Sequence, residues 1–275
     1  MSRVPVARHA VLCVASLVML YPLLWMVGSS FKTNADIFST VSPLPNPFDF
    51  SAYVRGWHGL QVSFGRFQWN SLVIAVLSVI GNVASCSLAA FAFARLRFPA
   101  RGFWMALMLG TLMIPYHITL IPQYLLFREL GWINTILPLV VPKFLATDAF
   151  FIFLMVQFFR GIPQTLDEAA GIDGCGPWGI YWRIILPLSQ PVLATAAVFS
   201  FIWTWDDFFG PLIYLSEVPT FTAQLALRTF VDAGGNSDWA ALFAMSTVNI
   251  LPVFLLFLLF QRTLIEGVAA AGLKR

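Results

Sequence analysis

Apolar residues gather into six runs along the chain, at about 10–29, 70–94, 102–122, 136–159, 188–209 and 241–260. Each approaches the roughly 20 residues that an α-helix needs to cross the hydrocarbon core of a bilayer. The pattern predicts an all-α, polytopic membrane protein with six transmembrane helices, forming one transmembrane domain over 1–275. The first run follows Arg3 and Arg8. It is longer than the ~7–15 residues of a signal-peptide core, and no small-residue cleavage pattern follows it, so it reads as an uncleaved helix. The second run carries Gly81, Ala84, Ser85, Ser87, Ala89 and Ala90, small residues that let helices approach closely in lipid. Pro115 breaks the third. Between the runs lie a long loop over 32–68, rich in Pro and Gly, an amphipathic connector over 124–134, a polar segment over 160–187 and a second long loop over 210–239.

Composition agrees. The chain is 59% hydrophobic and 11% charged, with a mean hydropathy of +0.80. A soluble domain carries about 25% charged residues, and no single aqueous core hides this much apolar surface. Charge placement sets the orientation. With the N-terminus in the cytoplasm, ten of the sixteen Lys and Arg lie inside and six outside, and the short turn 95–101 alone holds Arg95, Arg97 and Arg101. Short loops weigh most in the positive-inside rule. Both termini and the 160–187 segment are therefore expected to be cytoplasmic.

The 160–187 segment has its own logic. Pro163 suits a helix start, and Asp167 and Glu168 follow where the helix dipole favours acids. Leu166, Ala169 and Ala170 fall on one stripe that another surface can approach closely. Gly174 and Gly176 end that helix, and Pro177 restarts a second one at roughly a right angle, with Trp178, Tyr181, Trp182 and Ile185 expected on one face. Pro187 and Pro191 mark entry into the next span.

Glu168-Ala169-Ala170, three residues, Gly174, nine residues, Ile184, one residue and Leu186-Pro187 resemble the EAA loop of bacterial ABC import permeases at every fixed position. Ser30-Phe31-Lys32, the 94–99 turn, Ile172-Asp173-Gly174, Trp205-Asp206 and the tail from Gln261 to Lys274 resemble the carbohydrate permeases related to the smaller maltose-type subunit. Trp205-Asp206-Asp207 departs from that pattern, which commonly has Trp-Asn-Asp, and the tail is richer in Ala.

The resemblance implies a multi-pass protein of the bacterial inner membrane that forms half of a translocation path for a sugar or sugar derivative. Its implied partners are a second permease subunit, an ABC ATPase dimer and an extracytoplasmic substrate-binding protein. Glu168, Ala169, Ala170, Gly174, Ile184, Leu186 and Pro187 would couple to the ATPase. Asp148, Trp205, Asp206 and Asp207 would belong to the substrate path or outer gate. The two long loops, with Gly234 and Gly235 at a flexible tip, would meet the binding protein. No nucleic acid, metal or cofactor is implied. The chain has three lysines, none in a G-x-x-x-x-G-K-[ST] pattern, so ATP would be bound by a separate chain.

Lys143 and Asp148 lie near the outer end of the fourth run. Five residues apart, they do not face each other on a helix, and they are expected either to wall the path or to anchor at the interface. His117 reads as a packing or lining residue. Cys13, Cys86 and Cys175 are too far apart in sequence to suggest a metal or redox pair and read as packing thiols. A secondary, ion-coupled carrier is the alternative, but mid-membrane acids and broken repeats are sparse. A membrane enzyme would need a catalytic motif, and the sequence has no H-E-x-x-H and no G-x-S-x-G.

Overall fold

The computed structural model describes residues 6–40, 42–231 and 237–272 and, within these, side chains over 8–261. Helices make up the regular structure, and no strand occurs among the described residues. Four helical stretches are long and apolar enough to cross a membrane: Arg8–Ser29, Phe64–Arg95, Leu137–Gly161 and Trp239–Gln261. Two pairs, Arg101–Thr111 with Tyr116–Glu129 and Pro177–Leu188 with Gln190–Trp205, pass the same test but are bent by 96° and 76°. Counting each bent pair as one crossing gives six. The bend in the first pair falls at Pro115, whose ψ of 127° leaves the helical region.

Contacts divide the chain into two compact units, Met1–Trp69 with Phe221–Leu251, and Asn70–Thr220 with Pro252–Arg275. In the first, the stretch expected as a long loop contains two helices. Thr33 caps Asn34–Ser39 by accepting the Asp36 amide. Asp49 accepts the Ser51 amide at 2.8 Å at the start of Ser51–His58. Lys32 is buried, its Nζ donating to the Ser42 carbonyl at 2.6 Å and to Thr40 Oγ1. The ammonium thus ties the chain behind the first span instead of meeting solvent. Arg55 Nε pairs with Asp238 Oδ2 at 2.9 Å, and Asn34 Oδ1 accepts the Ala240 amide at 2.8 Å. These bonds join segments some two hundred residues apart and fix the start of Trp239–Gly272. Phe64 and Phe67, in the first turn of the second span, pack edge to face and are fully buried. This helix therefore begins six residues before the apolar run does.

The core of the second unit is built by Cys86, Ala90 and Phe91 of the second span, Phe151, Met155, Val156 and Phe159 of the fourth, and Tyr181, Ile185, Val192 and Ala196 of the bent pair. Some of the polar groups inside it bond one another, as groups away from water favour. Asn82 Nδ2 donates to Ser200 Oγ at 3.2 Å, and Cys86 Sγ donates to Asn82 Oδ1 at 3.0 Å. The connector closing the third crossing ends at Asn134, which has φ +65°. Its Oδ1 accepts the Ser216 and Glu217 amides and the Thr220 hydroxyl, and its own amide donates to the Tyr214 carbonyl. One asparagine in a left-handed turn therefore pins the segment that follows the fifth crossing.

Candidate coupling site

The 160–187 segment forms the helix Thr165–Ile172 and, after a turn, the helix Pro177–Ile180. The first follows Pro163 and carries Asp167 and Glu168 in its first turn. Its exit is a Schellman turn: the Cys175 amide reaches back to the Ala170 carbonyl at 2.8 Å, the Gly174 amide bonds the Gly171 carbonyl, and Gly174 has φ +82°. Nothing lies within 4 Å of where a Gly174 Cβ would stand. The glycine is therefore required by the backbone and not by crowding, and any other residue there is strained by about 1–2 kcal/mol. Gly176 is extended, and Pro177 opens the second helix at its first position.

That second helix widens into a π turn over Tyr181–Ile185, with the Leu186 amide bonding the Tyr181 carbonyl. Pro187 explains the widening. It has no N–H for the Arg183 carbonyl and its ring would strike that oxygen in a regular helix. The helix then runs past Pro187 and bends at Ser189, before Gln190–Trp205. Entry into the fifth span thus lies at Ser189 and not at Pro187.

The motif residues separate into two groups. Glu168, Ala169 and Gly174 are exposed, as are Leu166 and Ile172, the latter at 88%. Ile184 and Leu186 instead pack against the core of the second unit, and Pro187 is exposed at the bend. Two expected faces need correction. Ala170 turns inward while Leu166 and Ala169 face out, so the three do not form one free stripe. Tyr181 and Ile185 are buried while Trp178 and Trp182 are exposed, so the second helix shows two faces. The reason is anchoring. Tyr181 stacks obliquely on Phe91 and shares a 2.8 Å hydrogen bond with Ser87, which holds one side of the helix against the second span and leaves the two tryptophans outside.

Sequence reasoning missed Arg95 as a site residue. Its guanidinium Nε lies 3.3 Å from Asp167 Oδ2, and its Nη2 donates to the Ile162 carbonyl at 2.8 Å. The partners lie far apart in sequence, so no spacing rule links them. Burial raises the Asp167 carboxyl above the ordinary carboxylate range; Arg95 opposes this and neighbouring Glu168 adds to it.

The other predicted positions are dispersed. Lys143 and Asp148 form an ion pair at 2.9 Å, contrary to the expectation that they cannot face each other. The fourth crossing is interrupted there: Val141–Leu145 is a 3₁₀ helix and Ala146 has φ +54°. The left-handed residue breaks the helical register and brings Asp148, at the start of Ala149–Gly161, onto Lys143. Asp207 is half-buried, with Oδ1 accepting the Gly210 amide at 3.2 Å, and Asp206 is exposed. A Cβ on Gly210 would come within 2.5 Å of Asp207 Oδ2 and 3.0 Å of Leu139, so a side chain there would displace this carboxylate. Trp205 is buried, stacked on Phe201 at 5.4 Å. It packs in a core cluster with Ala75 and Phe201. His117 is exposed and meets Phe209 edge to face. Gly234 and Gly235 lie outside the described residues. No group of three or more His, Cys, Asp or Glu is placed to hold a metal among the described residues.

Comparison with known proteins agrees with this architecture. Residues 81–266 match the family model described as the binding-protein-dependent transport system inner membrane component. The chain is 34% identical over 254 residues to the probable ABC transporter permease protein YurM of Bacillus subtilis, covering 92% of this chain and 83% of that one. It is 34% identical over 260 residues to the arabinooligosaccharides transport system permease protein AraQ of Halalkalibacterium halodurans, covering 92% and 91%. A chain of the crystal structure of a bacterial ABC transporter involved in the import of the acidic polysaccharide alginate shares the fold, with a TM-score of 0.81 over 94% of this chain and 95% of that one at 24% identity. The protein thus belongs to the binding-protein-dependent transport system inner membrane component family, as a multi-pass permease subunit of an ABC importer.

Proposed function

We propose that this chain forms half of the translocation path for a carbohydrate or carbohydrate derivative, and that Glu168–Gly174 is the element through which a separate ATPase drives it. The carrying observation is the segregation of the 160–187 motif. Its first half is an exposed helix closed by the Gly174 turn, and its second half is packed into the transmembrane core. An element that is open on one side and anchored on the other suits force transfer between subunits. The exposed Leu166, Ile172, Trp178 and Trp182 are apolar groups of the kind that a groove on a partner covers.

The partners in this reading are a second permease subunit, an ABC ATPase dimer and an extracytoplasmic binding protein. ATP is bound by the ATPase, and this chain holds no cofactor. Both termini and the coupling helix face the cytoplasm. Asp148, Asp206 and Asp207 belong to the outer part of the path. The carbohydrate assignment draws on the arabinooligosaccharide relative and on the motifs shared with carbohydrate permeases. Deleting the gene tests it: uptake of one sugar or sugar derivative should be abolished, with amino-acid and metal uptake unchanged. Loss of amino-acid or metal uptake with every sugar still taken up refutes the substrate class.

A further inference from the structure

We infer that Arg95 is the positioning residue that ties the coupling helix to the cytoplasmic ends of two spans, so that movement of the Glu168 helix is passed to both. This rests on the coupling reading above.

Arg95 is the last residue of Phe64–Arg95. Its side chain is 4% exposed and that of its partner Asp167 is 18% exposed. Three elements converge on the one guanidinium. The second span supplies it. The Ile162 carbonyl, at the end of Ala149–Gly161, accepts from Nη2 at 2.8 Å. Asp167, in the first turn of Thr165–Ile172, is paired to Nε at 3.3 Å. Only four residues lie between Ile162 and Asp167, so Arg95 brackets the corner where the fourth span turns into the coupling helix.

The chemistry favours arginine here. A guanidinium is always charged and presents donors in a fixed planar fork, so one rigid group hydrogen-bonds the Ile162 carbonyl and holds the Asp167 carboxylate beside it by charge. A lysine ammonium is a point charge on a flexible stem and would hold one acceptor at the expense of the other. Burial makes the arrangement stiff, because withdrawing either partner strands a desolvated charge. A helix that moves under load therefore carries the fork, and with it the ends of the second and fourth spans, instead of sliding past them. Among the described residues Arg95 Nε and Nη1 and Asp167 Oδ1 make no hydrogen bond, so the Asp167 contact is an ion pair without a hydrogen bond, with room to become bidentate as the helix rotates.

The test uses the assembled transporter in lipid nanodiscs, with MgATP as the probe and amide hydrogen exchange as the readout. In the wild type, MgATP should change exchange both in residues 165–175 and in residues 155–162 at the end of the fourth span. In Arg95→Gln and Asp167→Asn the ATPase should still co-purify and residues 165–175 should still respond, but the response of 155–162 should be lost. Arg95→Lys should restore it incompletely, and the exchanged pair Arg95→Asp with Asp167→Arg should recover part of it. If 155–162 responds fully in both single variants, the Arg95 proposal is wrong while the coupling reading stands. A wild type in which 165–175 does not respond to MgATP instead refutes the coupling reading itself. Should all four variants fail to accumulate in the membrane, the pair serves folding and the proposal is likewise overturned.

Discussion

Lys143 Nζ and Asp148 Oδ2 stand 2.9 Å apart because Ala146, between them, occupies the left-handed region. The side chains are each about one-third exposed, so the pair is partly solvated. A double-mutant cycle should therefore return a coupling of about 1 kcal/mol, near the upper end for exposed pairs. Thermal unfolding in detergent of Lys143→Met, Asp148→Leu and the double variant measures it. Each single change strands a charge beside apolar surface and should cost more than the two together; strict additivity would show that the pair is incidental.

Gly174→Asp and Glu168→Lys are predicted to reach the membrane in normal amounts and to lose coupling. The first forces a side chain onto φ +82°, at a cost of about 1–2 kcal/mol borne by a short helix. The second reverses an exposed charge without touching the core. ATPase co-purification and uptake by each variant are the measurements. Wild-type transport by both removes the coupling assignment.

Orientation is predicted from arginine placement and can be read by labelling. In a chain whose three cysteines are replaced by alanine, a membrane-impermeant thiol reagent applied to intact cells should modify Cys placed at Asn46 or Glu217 and spare Cys placed at Asp173. All three positions are exposed, so a missing signal reports sidedness and not burial. The reverse pattern inverts the topology.

The Arg55–Asp238 pair predicts an acid-dependent term in the first unit. Burial pushes the Asp238 carboxyl up, but hydrogen bonds from Arg55 and the Ala241 amide outweigh it and hold it below the ordinary range. A depressed carboxylate adds stability above its unfolded pKa of about 4 and loses it as pH falls through the lower folded value. With both partners partly exposed, the contribution is at most about 1 kcal/mol. Asp238→Asn should thus unfold a few degrees earlier than wild type at pH 7, and the gap should narrow and then close as pH falls through the depressed folded value. A gap that persists unchanged in acid contradicts the pair as its origin.

Tyr181→Phe deletes the buried hydrogen bond to Ser87 while keeping the ring against Phe91. A net loss of about 1 kcal/mol is expected, read as a lower unfolding midpoint. Ser87→Ala should give the same loss and the double variant little more. Full additivity of the two would mean that they act separately.

Apolar run length made the six crossings legible in the sequence, because no water within a bilayer lets the backbone do anything but close its own hydrogen bonds. The turn at Gly174 was legible for the same kind of reason: a local backbone demand that one residue type meets, flanked by prolines that restrict the chain on either side. Local sequence could not place Arg95 on Asp167, or Tyr181 on Ser87, since these pairs lie far apart along the chain and exist only once the spans pack side by side. The pairing of Lys143 with Asp148 was hidden differently. Helical spacing forbids it, and only a left-handed alanine, a conformation that sequence does not announce for that residue, brings the two together. Which tryptophans of the 160–187 segment face out was also a tertiary decision. A π turn relieving Pro187 and a single tyrosine held by the second span rotated one half of the predicted face inward, and no periodicity in the sequence carries that information.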